Sequence, residues 1–336
     1  MSEAKTVVLI RGDGIGPEIT DAVLKVLDCL KLNLRFIEAE IGLKAVERFN
    51  DPLPEDTLNL LREYKVGLKG PTTTAIGTGF KSVNVGLRKA LDLYANVRPA
   101  VSMTGVKSRY ENVNLVTIRE NTEGLYSGIE HEVVPGVVES LKIVTRKAST
   151  RIAEFAFNYA REQGHKKITF VHKANIMKLS DGLSLECYRE VAKNFPEIPV
   201  EEKIVDAMAM ELVLHPEKFD LLLMENLYGD ILSDLCAGLV GGLGLAPSGN
   251  IGVNGAVFEA VHGSAPDLAG KGSANPTALL LSAAMMLDYL GLHREAQQID
   301  AAIKKTIAQG KFVTADLGGK SSTLEYTSAV IDHLGV

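Results

Sequence analysis

The sequence predicts an α/β fold, and three observations carry that reading. Short β-branched runs alternate with stretches of helical periodicity along the chain. Glycine and proline punctuate the joints between them. The 336 residues, 46% hydrophobic and 23% charged, supply apolar material for one large globular unit or two lobes. In chain order, TVVLI (6–10) reads as a strand, and residues 17–30 as a helix because Ile19, Val23, Leu27 and Leu30 share one face. Between them, GDGIGPE (12–18) reads as a glycine-built turn, since its glycines at 12, 14 and 16 lack the spacing of a dinucleotide fingerprint. NLVTI (114–118) and LKIVT (141–145) read as strands, residues 150–163 as a helix bounded by Ser149 and Gly164, and KITFV (167–171) and DLLLM (220–224) as strands. The run from Ala278 to Leu290, between Pro276 and Gly291, reads as a buried helix too short to span a bilayer.

Composition narrows the function classes. A net charge of −6 argues against nucleic acid as a partner, because phosphate contacts need a broad basic surface. Cys29, Cys187 and Cys236 lie far apart with no C-x-x-C spacing, which predicts neither a zinc knuckle nor a disulfide framework. A reducing, cytoplasmic setting is expected, with no membrane association, and the early start of the first apolar run predicts no leader peptide.

The chemistry is concentrated in a few segments. NLYGDILSD (226–234) places Asp230 and Asp234 four apart at the start of an apolar stretch, so on a helix both project from one face. Like charges so placed favour a hard divalent ion between them, Mg²⁺ or Mn²⁺ over zinc; taken alone, the pair reads more readily as a solvated acidic face. Residues 69–99 form a Gly/Thr-rich loop and a helix, with Ser82 and Asn84 at its start and Arg88 in its body. Singly these are helix caps, but together they make a donor-rich face for a carboxylate. Arg88, Arg98 and Arg119 each follow or close an apolar segment and can converge on a small polyanion. RENTEGLYSGIEH (119–131) adds Tyr126, and VHKANIMK (171–178) adds Lys173 just past a strand, where a desolvated lysine can move protons.

The chain also resembles the isocitrate/isopropylmalate dehydrogenase family over essentially its whole length, and most closely the NAD-dependent isocitrate dehydrogenases within it. The resemblance rests on S-x-N-x-x-x-R (82–88), YANVRP (94–99), RENTEGLY (119–126), HKANIMK (172–178), NLYGDILSD (226–234) and HGSAPD (262–267), in that order. It implies a two-lobed fold with a mixed central sheet, unlike the usual Rossmann fold. The large lobe would be residues 1–93 and 241–336, and the small lobe 94–240, with an arm near 125–145 clasping a second subunit. It further implies a homodimer with shared active sites and NAD-dependent oxidative decarboxylation of isocitrate to 2-oxoglutarate and CO₂.

Residue by residue, the resemblance gives Arg88, Arg98 and Arg119 to the substrate carboxylates, and Ser82 and Asn84 to the one that distinguishes isocitrate. Asp230 and Asp234, with Asp206 of the partner subunit, would hold Mg²⁺ or Mn²⁺. Tyr126, assisted by Lys173 of the partner subunit, would supply a proton. Thr74, Glu259, His262, Gly263 and Asn275 would line the cofactor site, and Asp267 with Leu268 would select NAD, because a carboxylate accepts from ribose hydroxyls and repels a 2′-phosphate. Four positions depart from the family pattern: Ala75, Ala207, Glu211 and Glu225. Two rivals stand beside this reading. A homoisocitrate or 3-isopropylmalate dehydrogenase shares the metal and NAD, but isopropylmalate would need apolar groups where Ser82 and Asn84 stand. A regulatory subunit of a hetero-oligomeric enzyme would lack part of the constellation.

Overall fold

The structure, a computed structural model, describes residues 4–73 and 82–335. Thr74 and Ala75 lie outside them. The first third runs β1 (Lys5–Ile10), α1 (Gly16–Cys29), β2 (Leu34–Ala39), α2 (Leu43–Phe49), α3 (Glu55–Tyr64), β3 (Val66–Lys69), α4 (Val83–Ala90), β4 (Ala95–Val101) and β5 (Asn114–Glu120). The middle adds the hairpin β6 (Glu130–Val134) and β7 (Val137–Ser140), then α5 (Arg146–Gln163), β8 (Ile168–His172), α6 (Ser180–Ala192), β9 (Val200–Ile204), α7 (Val205–Leu214), β10 (Leu221–Met224) and α8 (Asn226–Leu239). β11 (Pro247–Ile251), β12 (Ala256–Ala260), α9 (Thr277–Tyr289), α10 (His293–Gln309) and α11 (Thr323–Asp332) complete it.

The expected mixed sheet is present: ten strands in the order β2-β1-β3-β12-β11-β4-β5-β10-β8-β9. Its flanks are parallel and covered by helices, whereas β11 runs antiparallel to both β12 and β4, and β4 antiparallel to β5. The largest core cluster joins β1, β3 and β12 to α1, α9, α10 and α11, drawing mainly on the two chain ends. Two further clusters lie on either side of β5, β8 and β10.

Strand periodicity explains where chemistry can sit. Register pairs Asn96 with Arg119, Asn250 with Asn96, Ser248 with Glu259 and Glu259 with Lys69, so alternation brings these polar groups to one face at the middle of the sheet. Val97 and Phe258 point the other way, into apolar clusters.

Two expectations need correction. LKIVT (141–145) forms no strand; only an isolated bridge joins Gly124 and Ile143, because the run crosses from the exposed hairpin to α5. The helix expected from Ser149 starts at Arg146, capped by the Thr145 hydroxyl accepting from Ala148 N–H; Ser149 is buried against Ser184. Gly164, in the left-handed region, ends it as expected. The glycine turn is required by crowding: a Cβ on Gly12 would meet the Pro71 carbonyl at 2.1 Å, and one on Gly14 the Ser264 carbonyl at 2.0 Å. Helix α9 is buried along most of its length, as its apolar sequence predicts. All three cysteines are free thiols, and among the described residues no helix is long and apolar enough to cross a membrane.

Candidate active site

A cavity of about 230 Å³ opens where β3 and β12 end, lined by Lys69, Thr72, Ser82, Asn84, Arg88, Arg98, Asp230, Ser248, Glu259, His262 and Gly263 among others. The crevice beyond strand ends is where open α/β sheets bind ligands. Its wall is almost entirely polar. Ser82 stands at the N-cap of α4 but makes no capping bond, which leaves its hydroxyl for the cavity. Asn84 accepts from the Thr72 hydroxyl at 3.0 Å.

The arginines are fixed from below. Glu259 at the cavity floor pairs with Lys69 at 2.6 Å and Arg88 at 3.1 Å, and accepts from Asn250 at 2.8 Å. Burial pushes its carboxyl up, but Lys69 and Arg88 outweigh that and hold it far below the usual range. Arg98 donates to the Ser233 hydroxyl at 2.6 Å. Burial, with Arg119 and Arg88 nearby, brings its guanidinium down to about 10. The Arg88 and Arg98 Nε atoms are buried without partners, as expected of donors awaiting an anion.

Helix α8 carries both predicted aspartates beside this cavity. Glu225 caps it, accepting from Leu227 and Tyr228 N–H, so this departure from the family pattern has a structural use. Asp230 forms an ion pair with Arg119 and accepts from the Tyr126 hydroxyl. Arg98 lies 3.6 Å from Asp230 and 3.5 Å from Asp234. Burial pushes the Asp230 carboxyl up, yet Arg119, the Tyr126 hydrogen bond and Arg98 hold it below its ordinary value. Burial raises Asp234, with Asp230 adding to the shift. Burial and then Asp230 raise the Tyr126 hydroxyl, so it stays protonated at neutral pH. Asn226 accepts from Arg119 Nε and Nη2 at 3.0 and 2.7 Å, aiming Nη1 at Asp230.

Two oxygen-donor carboxylates, half exposed and set among cations, suit a hard divalent ion. A third carboxylate is absent from that position: among the described residues no group of three potential ligands forms. Asp206 pairs instead with Lys173 of the same chain. Neither lines the cavity. Beside them the surface exposes Ile176, Leu179, Met210 and Leu214. Glu211 bonds Lys203 at 2.8 and 2.9 Å, away from any such ligand role.

Of the residues expected at the cofactor, His262 and Gly263 sit at the cavity mouth. His262 Nδ1 donates to the Gly263 carbonyl at 2.9 Å, and its Nε2 is buried without a partner. A Cβ on Gly263 would face open space. Asp267 and Leu268 are exposed on a short turn, Pro266–Leu268, with Ala265 before it at φ +39°. These features fit a dinucleotide lying over the loop. Asn275 is held from within the chain: Oδ1 accepts from the Thr277 N–H and hydroxyl, and Nδ2 donates to Asp316 at 2.9 Å, so its side chain also shapes the start of α9.

Sequence reading missed Lys69 and Glu18. Lys69 left a signal, a charge closing the fully buried run VGLK before Gly-Pro. Glu18 left none: it accepts from Gly272 and Ala274 N–H at 3.2 and 2.9 Å, tying the 262–275 loop to α1.

These features define an α/β protein with a small-anion pocket beside a carboxylate pair. The sequence pattern of the isocitrate/isopropylmalate dehydrogenase family matches residues 6–334. The chain is 57% identical, over 98% of its length and 88% of the relative's, to the mitochondrial isocitrate dehydrogenase [NAD] catalytic subunit 5 of Arabidopsis thaliana. It is also 57% identical, over 90% of its length and 85% of the relative's, to the chloroplastic 3-isopropylmalate dehydrogenase of Solanum tuberosum. The isocitrate dehydrogenase structure from Methylococcus capsulatus superposes with a TM-score of 0.95 at 50% identity, covering 98% of this chain and 99% of that one. The chain belongs to the isocitrate/isopropylmalate dehydrogenase family, and is a dehydrogenase.

Proposed function

We propose that the chain catalyses NAD-dependent oxidative decarboxylation of isocitrate to 2-oxoglutarate and CO₂. The observation that carries this reading is the almost entirely polar cavity that the buried Arg88 and Arg98 line beside Asp230, with buried Arg119 paired to that aspartate. Arg88, Arg98 and Arg119 bind carboxylates by planar, charge-assisted forks, and Ser82 and Asn84 receive the third carboxylate of isocitrate. Asp230 and Asp234 would hold Mg²⁺ or Mn²⁺ with Asp206 of the partner subunit. That ion, when bound, supplies Lewis-acid stabilisation of developing oxygen charge. Tyr126, kept protonated by burial and Asp230, stands ready to return a proton once the carboxylate has left. His262 and Gly263 would cradle the nucleotide, while Asp267 favours NAD⁺ by repelling a 2′-phosphate.

The pairing of Lys173 with Asp206 away from the cavity, next to exposed apolar side chains, supports sites completed by a second chain. We take that second chain to be another copy, because one sequence carries both halves of the constellation; the relative named a catalytic subunit leaves a hetero-oligomer as the other arrangement. Cytoplasmic placement remains part of the proposal.

Identity with an isopropylmalate dehydrogenase matches that with an isocitrate dehydrogenase subunit, so overall similarity does not select the substrate. Pocket chemistry supports isocitrate, because burying an isopropyl group against Ser82, Asn84 and Arg88 would leave polar groups unsatisfied. The test is to assay purified protein with isocitrate, homoisocitrate and isopropylmalate against NAD⁺ and NADP⁺, with Mg²⁺ present. Isocitrate with NAD⁺ should give the highest kcat/KM, by at least about 100-fold over isopropylmalate. A preference for isopropylmalate or for NADP⁺ would contradict the assignment.

A further inference from the structure

Asp181 on α6 is 2% exposed, and buried carboxylates need partners. It has donors from three separate segments. Oδ2 accepts the backbone N–H of Lys173 at 2.7 Å and the Tyr228 hydroxyl at 3.0 Å, while Oδ1 accepts Lys142 Nζ at 2.6 Å. The Lys142 ammonium also lies 3.6 Å from Glu225 and 4.6 Å from the centre of the Tyr228 ring, so one partly buried cation serves two carboxylates. None of Asp181, Lys142 and Tyr228 lines the cavity.

The connectivity gives this cluster a use beyond stability. Lys173 follows β8 directly; its Nζ is engaged with Asp206 and its carbonyl accepts the Ile176 and Met177 N–H groups within the following turn, so Asp181 is what ties its own N–H to α6. Tyr228 stands two residues before Asp230 on α8. One carboxylate therefore fastens both the segment that presents Lys173 and the helix that presents Asp230.

We infer that Asp181 is a positioning residue, setting the Lys173 peptide against α8. The inference rests on the proposed reading in which Lys173 acts in the neighbouring subunit's site. Under it, Asp181 joins the lysine of one site to the metal-binding helix of the other. Reacting groups must be held within a fraction of an ångström, so a loosened anchor lowers turnover before it lowers binding.

The test compares Asp181→Asn, Asp181→Leu and Tyr228→Phe by steady-state kinetics, thermal unfolding and amide hydrogen exchange at Lys173, with Lys173→Met as control. Asn keeps an acceptor for the Lys173 N–H and Leu does not, so kcat should fall about 10-fold and about 100-fold respectively. KM for NAD⁺ should stay within about twofold, and Lys173 exchange should quicken in the same order. Tyr228→Phe scarcely changes volume, and should lower kcat about threefold even if Asp181→Leu fails to fold. Wild-type kcat in the folded variants, or lowered kcat with unchanged Lys173 exchange, would overturn the inference. An inactive Lys173→Met beside normal Asp181 variants would sink the inference alone; a fully active Lys173→Met would sink the underlying reading as well.

Discussion

At the scale of single residues, the site is held by buried charges that balance one another. Lys69 and Glu259 are 1% and 5% exposed, and Glu259 orients Arg88 at the cavity. Removing one partner of such a pair leaves an uncompensated buried charge, which typically costs about 3–5 kcal/mol. Lys69→Met should therefore destabilise the protein by about 3 kcal/mol in urea unfolding, and adding Glu259→Gln should recover much of the loss. A change below about 1 kcal/mol would show that Arg88 and Asn250 suffice. None of this coupling was legible beforehand. The sequence marks Lys69 only as a charge closing an apolar run, and its partner stands 190 positions later; parallel pairing of β3 with β12 brings them together.

At the scale of elements, α8 shows how one motif serves packing and chemistry together. Its two aspartates were legible because an i,i+4 spacing fixes a shared helix face. The role of Gly229 was not, because it depends on a strand more than 100 positions earlier. A Cβ there would lie 2.4 Å from Arg119 Cγ and 2.6 Å from its Cβ, atoms near the backbone that cannot swing aside. Alanine at an exposed helix position would gain about 1 kcal/mol over glycine, but here the overlap outweighs that propensity. Gly229→Ala should displace Arg119 and raise KM for isocitrate about tenfold or more, with KM for NAD⁺ little changed. Unaltered kinetics would mean that Arg119 does not bind substrate. Periodicity located α1, α5 and α9 and the strands β1, β5, β8 and β10, but left α6, α10 and the parallel strands β2, β3 and β9 unread. It failed at LKIVT, whose β-branched residues have no neighbouring strand to join apart from one bridge at Ile143, and local patterns carry no record of such absence.

At the scale of the whole molecule, the residues proposed for the site fall into two groups that do not meet within one chain. Arg88, Arg98, Arg119, Tyr126, Asp230 and Asp234 gather at one cavity or its edge, whereas Lys173 and Asp206 pair elsewhere beside exposed apolar side chains. The exposed hairpin β6–β7, with Val133, Val134, Val137 and Val138 uncovered, suits a clasp between chains, as the resemblance implies. The central claim is that a working site takes Asp230 from one subunit and Lys173 from another. It is tested most directly by co-expressing Lys173→Met and Asp230→Asn chains and purifying the mixed dimers. Each parent should be nearly inactive, since every one of its sites lacks a required group. In a mixed dimer both lesions fall in one site and the other is intact, so verified heterodimers should show about half of wild-type activity, and a random assembly about a quarter. Heterodimers as inactive as both parents would contradict the claim.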